Sequence, residues 1–64
     1  MSSSDAAELL SLLASAEDIQ RRIAAIAQRY EGSPREDIST GLHEVDRSFG
    51  AVVRKIHGVA KIMR

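Results

Sequence analysis

A chain of 64 residues without cysteine can form at most one small domain, and it cannot use disulfide bonds, thiolate catalysis or cysteine zinc ligands. Nine basic and nine acidic residues give a net charge of zero, which disfavours a globally basic nucleic-acid binder. No apolar run approaches the roughly 18 residues of a membrane span, and no signal-peptide pattern opens the chain. We therefore expect a small soluble protein of the cytoplasm, with no role for a membrane.

The first half of the chain has the pattern of one long amphipathic helix. We expect residues 1–4 to be a disordered leader and a cap at Ser4 or Asp5 to begin a helix that ends near residue 31. Its apolar positions alternate at intervals of three and four, which is the heptad rhythm of packed helices. These positions are Leu9, Leu12, Ala16, Ile19, Ile23, Ile26 and Tyr30, with Leu13 and Ala27 beside them.

A turn is predicted where signals for a helix end and a helix start follow one another. Gly32 can adopt the left-handed conformation that closes a helix. Ser33 is a favourable N-cap, Pro34 suits the first helical position, and Glu36 would complete a capping box with Ser33. The sequence therefore predicts a tight connection and a second helix over residues 34–63.

The second half repeats the heptad rhythm without a break, and strand-like alternation is absent. Its apolar positions are Ile38, Leu42, Val45, Phe49, Val52, Ile56, Val59 and Met63, with Val53 and Ala60 beside them. Residues whose numbers sum to about 65 should be neighbours across the turn, which places Phe49 opposite Ala16.

These patterns predict an all-α protein, an antiparallel two-helix hairpin over about 5–31 and 34–63. Each helix is apolar over more than the two rows that one partner helix covers, and soluble monomers rarely leave such a face in water. We therefore expect two copies to form a four-helix bundle. The predicted dimer core contains Leu9, Leu12, Ala16, Ile19, Ile23, Ile26, Ile38, Leu42, Val45, Phe49, Val52, Ile56 and Val59.

Charge is distributed unevenly along the chain. Residues 1–18 contain acids and no base, whereas residues 47–64 contain bases and no acid. The two segments adjoin in an antiparallel hairpin, so we expect their opposite charges to pair. The alternative is that the basic segment docks an anionic partner. The predicted partner surface accordingly combines the Val53/Ala60 edge with Arg47, Arg54, Lys55, Lys61 and Arg64.

No residue pattern indicates catalysis, a cofactor or a metal. His43 and His57 are separated by fourteen residues, or about 21 Å along a helix, and therefore cannot share a metal within one chain. None of the serines lies in a Gly-x-Ser-x-Gly elbow, and no glycine-rich phosphate loop is present. We therefore expect no enzymatic activity.

Three functional hypotheses remain. The leading one is a non-enzymatic interaction module, a small homodimeric regulator or adaptor that binds another protein, and the composition suggests a bacterial source. The second is a nucleic-acid-binding dimer that uses the basic part of the second helix. The third is a helical subunit of an obligate hetero-oligomer, in which a different chain supplies the second pair of helices.

Overall fold

The structure is a computed structural model that describes residues 3–63, and it is a hairpin of two helices. Helix α1 spans Ser3–Tyr30 and helix α2 spans Glu36–Met63, each with 28 residues. The two helices pack along their length, and no strand occurs within the described residues. The predicted all-α hairpin is therefore confirmed.

Helix α1 begins earlier than the sequence predicts. Ser3 and Ser4, which we expected in a disordered leader, belong to the helix, and Asp5 provides a negative charge in its first turn. A carboxylate there interacts favourably with the unpaired amides of a helix N-terminus. The rest of the predicted leader, residues 1 and 2, lies outside the described residues.

The connection between the helices contains the predicted left-handed Gly32, but Ser33 and Glu36 have other partners than in the predicted capping box, and the second helix starts later. Gly32 has φ 73°, the left-handed conformation that closes α1. The Ser33 hydroxyl donates to the Tyr30 carbonyl at 2.6 Å and accepts from the Arg35 amide at 3.1 Å. Pro34 and Arg35 therefore remain in the turn, and α2 begins at Glu36 instead of residue 34. The Glu36 carboxylate accepts from the amide of Gly32 at 3.2 Å.

The interface between the two helices is made mainly of small residues. The buried residues within the described part of the chain are Leu13, Ala27, Ser39 and Ala60, and Ala27 is 0% exposed. No large side chain there is completely buried. Small side chains let the helix backbones approach closely, so the larger residues beside them remain partly exposed.

The predicted central layer is partly enclosed by the hairpin. Ala16 and Phe49 are both half-buried, and each lies close to the middle of its helix. The half-buried shell around the small residues also includes Leu9, Ile23, Ile38, Leu42, Val53 and Ile56.

The hairpin is long and narrow. Its Cα atoms extend over 50 × 14 × 9 Å, and their radius of gyration is 14.9 Å. A compact domain of this length would have a radius of gyration of about 11 Å. One hairpin therefore encloses little core. Neither α1 nor α2 has a segment apolar enough to cross a membrane.

Candidate interaction surface

Seven large apolar side chains remain exposed along one side of the hairpin. Within each helix most of them recur at intervals of seven residues, so they align every two turns. We call this set the apolar face: Leu12, Ile19, Ile26, Tyr30, Val45, Val52 and Val59.

Both helices contribute to the same side. Leu9 of α1 and Val52, Ile56 and Val59 of α2 line one shallow apolar groove, with Lys55 at its edge. This groove joins the Val52/Val59 row of α2 to Leu9, which lies one turn from the exposed Leu12 of α1. The apolar face therefore follows one side of the hairpin over roughly 27 Å of α1 and 21 Å of α2 at 1.5 Å per residue.

Two further grooves show which charged residues border the apolar face. Glu44 and Ser48 line a groove on α2 with Val45, Phe49 and Val52. Arg22 lines a groove on α1 with Ile19, Ile23 and Ile26. Together with Lys55 on α2, these residues place both signs of charge along the borders of the apolar face.

The apolar face accounts for six of the predicted dimer-core residues: Leu12, Ile19, Ile26, Val45, Val52 and Val59. They are exposed in the hairpin, whereas the other seven predicted core residues are half-buried. The predicted stripe therefore runs along the edge of the hairpin interface. Its inner side faces the companion helix and its outer side faces solvent.

The structure corrects the apolar part of the predicted partner surface. Ala60 is 4% exposed and Val53 is half-buried, because both face α1. They belong to the hairpin interface and do not form a free edge. The exposed apolar surface lies instead on the side marked by Val52 and Val59.

Among the described residues, the basic side chains of α2 form no ion pair with the acidic start of the chain. Arg47, Arg54, Lys55 and Lys61 are exposed and have no ion pair within the described residues. Arg64 lies outside the described residues. These long side chains remain solvated, as is usual for surface charges.

The ion pairs that the structure describes are local. Asp18 lies 3.6 Å from Arg21 and 3.8 Å from Arg22, within the same helix. Arg35 donates two hydrogen bonds to Asp37, at 3.0 Å and 2.9 Å. The Arg35 guanidinium lowers the pKa of Asp37, and the same contact raises the pKa of Arg35. These contacts lie on the surface of α1 and at the turn.

Comparison with family models, with curated proteins and with solved structures finds no match to this chain. The geometry of the hairpin therefore supplies the grounds for assigning a function.

The two histidines lie on the surface of α2. His43 Nε2 is 2.8 Å from the carboxylate of Glu31, the first residue after α1, so this contact joins α2 to the turn. His57 is exposed farther along α2. Within residues 3–63, no three histidine, aspartate or glutamate side chains form a group able to hold a metal ion.

A polar contact inside the hairpin interface was not anticipated from the sequence. The Gln20 side-chain amide donates to the Asp46 carbonyl at 3.4 Å and lies above Gly50, where an added Cβ would be 3.1 Å from Gln20 Nε2. The sequence signal was present, because Gln20 occupies the heptad position between Leu13 and Ala27. A half-buried amide with a single cross-helix partner favours one register of α1 against α2.

Proposed function

We propose that this chain is a non-enzymatic protein–protein interaction module that acts as a homodimer, with two hairpins joined through their apolar faces in a four-helix bundle. In this role it would be a small helical regulator or adaptor that presents the outer surfaces of the bundle to another protein. The apolar face is the observation that carries the proposal. Exposed apolar surface of this kind is a mark of interaction sites.

The surface area of the hairpin supports a partner of comparable size. The accessible surface is 4722 Å² for a chain of 7.0 kDa. A folded monomer of that mass would expose about 4,000 Å². The excess is roughly 700 Å² per chain, and two chains together would have about 1,400 Å² to remove from water. Stable interfaces bury about 1,200–2,000 Å² in total.

The spacing of the apolar face supports a helical partner. Exposed residues at intervals of seven, flanked by half-buried residues at intervals of three and four, form a surface into which another heptad helix can insert its side chains. A second copy carries the same spacing on two helices, so its face matches in length, period and width.

A second candidate function is binding of a nucleic acid by the basic part of α2. The observation that favours it is that Arg47, Arg54, Lys55 and Lys61 are exposed and have no ion pair within residues 3–63. Phosphate contacts of this type weaken steeply with salt. Retardation of DNA or RNA in a gel that disappears between about 50 and 200 mM salt would support it. Absence of retardation at the lower salt concentration would refute it.

The proposed homodimer is tested by unfolding at several concentrations. Association that accompanies folding makes the melting temperature depend on concentration. We expect the helical circular dichroism signal to melt at a higher temperature when the concentration is raised a hundredfold. A constant melting temperature with a particle of one chain would refute the homodimer. That result would favour the third hypothesis, a helical subunit of an obligate hetero-oligomer, which co-purification from the native source would test.

A further inference from the structure

We infer that the second copy lies head to tail on the first, so that the turn of one hairpin covers the open end of the other. In this arrangement α1 packs against α1 of the partner, and α2 packs against α2 of the partner. This inference rests on the proposed homodimer and specifies its geometry. The competing arrangement has both turns at the same end, and it places α2 against α1 of the partner.

Each hairpin is electrically polar along its length. The middle of the molecule lies at Ala16 and Phe49, close to the centres of the two helices. Within the described residues, the open half, 3–16 and 49–63, contains two acids and three bases, which gives a net charge of +1. The turn half, residues 17–48, contains seven acids and five bases, which gives a net charge of −2.

This polarity distinguishes the two arrangements. With both turns at one end, halves of like charge would lie side by side across the whole interface. Head-to-tail packing instead places the positive open half of each copy over the negative turn half of the other. At helix separations of 8–10 Å this attraction acts within about one Debye length at 0.1 M salt. Like charges placed together would oppose assembly, so the charge distribution selects the head-to-tail arrangement.

The borders of the apolar face are consistent with the same geometry. Glu44 and Lys55 border the face on α2, and neither has an ion pair within the described residues. They lie equally far before and after the centre of Glu36–Met63. A two-fold axis across that centre therefore places Glu44 of one copy beside Lys55 of the partner subunit, and it forms this pair twice in each dimer.

The apolar positions of α2 also meet if the axis crosses the helix at Phe49, within one residue of that centre. Residues whose numbers sum to 97 or 98 would face one another, which pairs Leu42 with Ile56 and Val45 with Val52 of the partner subunit. Phe49 would then meet the partner's Phe49 at the axis. These central pairs thus bring apolar residues together across the axis.

Single cysteines can test the arrangement because the native chain has none. Ser48 is exposed, lines the groove on α2 away from α1, and lies near the proposed axis. In a glutathione redox buffer we expect Ser48→Cys to form a disulfide-linked dimer. The effective concentration within the dimer is of millimolar order, so at about 10 µM chain this reaction should be about a hundredfold faster than a collisional one.

Thr40→Cys is the matched control for Ser48→Cys. Thr40 is likewise an exposed hydroxyl residue of α2, but it lies eight residues nearer the turn. Its two copies in the head-to-tail dimer would be separated by roughly 26 Å along the helices. A disulfide needs the two Cα atoms within about 7 Å, so Thr40→Cys should link only by collision between dimers.

A mixture of two variants distinguishes the competing arrangement. With both turns at one end, Ser48 would face the region of Ser15 in the partner. Ser48→Cys alone would then not link, whereas a mixture of Ser15→Cys and Ser48→Cys would give the mixed disulfide. That result with an intact dimer would overturn the head-to-tail geometry alone. A particle of one chain, with equal linking of Ser48→Cys and Thr40→Cys, would overturn the homodimer as well.

Discussion

Replacement of Ile19 by alanine would measure how much the apolar face contributes to association. Ile19 is 44% exposed in the isolated hairpin, so a little under half of its possible burial remains to be gained on dimerisation. Truncation of a buried isoleucine to alanine costs about 2–5 kcal/mol. The share assigned to association is therefore about 1–2 kcal/mol per chain, or about 2–4 kcal/mol for the two copies in a dimer. Because about 1.4 kcal/mol is a factor of ten, the dimer Kd should rise by roughly 30-fold to several hundred-fold.

Leu10→Ala is the matched control for this experiment. Leu10 is 47% exposed and lies nine residues before Ile19, which places it on the opposite side of α1. Both variants remove a similar partly buried side chain from the same helix, but only Ile19 lies on the apolar face. Sedimentation equilibrium of the wild type and both variants gives the Kd values. An unchanged Kd for Ile19→Ala, or an equal loss in Leu10→Ala, would refute the assignment of the interface to this face.

Three further substitutions test local features of the fold, each followed by urea unfolding. Gly32→Ala should destabilise the hairpin by about 1 kcal/mol, because φ 73° is unfavourable for a residue with a Cβ. An unchanged urea midpoint would contradict the left-handed conformation of Gly32 in the turn. Gly58→Ala should stabilise it by about 0.5–1 kcal/mol, since an added Cβ meets nothing within 4 Å, and a loss of stability would show that this position is covered. Arg35 lowers the pKa of Asp37 in the folded state. The contribution of Asp37 to the free energy of unfolding is therefore complete above the unfolded pKa of about 4, and it is lost as the pH falls through the lower folded pKa. Asp37→Asn should therefore reduce the loss of stability between about pH 5 and pH 2, and an unaltered acid profile would argue against the Arg35 contact.

The helical hairpin could be predicted because its signals are local. Heptad spacing identifies both helices, and Gly32 marks the turn through its left-handed conformation. The start of α2 was predicted two residues early, at Pro34. Proline suits a first helical position, but the Ser33 hydroxyl here accepts the Arg35 amide and holds both residues in the turn.

The orientation of each helix about its own axis was not predictable from spacing alone. Each apolar stripe is wider than one helix contact, so large residues such as Ile19 and Val52 and small ones such as Ala27 and Ala60 compete to face the companion helix. Ala27 and Ala60 are buried in the hairpin interface because they permit close packing, and Ile19 and Val52 are left exposed. The sequence-based prediction put the large residues in the hairpin interface. That assumption left Ala60 on an outer surface, where it was predicted to contact a partner.

The mass of the native chain in solution tests the central claim most directly. Light scattering coupled to size exclusion at about 100 µM chain, a concentration far above the micromolar Kd of many specific complexes, should give twice the chain mass of 7.0 kDa. It should fall towards the chain mass on dilution, and Ile19→Ala should shift that fall to higher concentration. A particle of 7.0 kDa at the highest concentration, with its helical signal intact, would contradict a homodimer built on the apolar face.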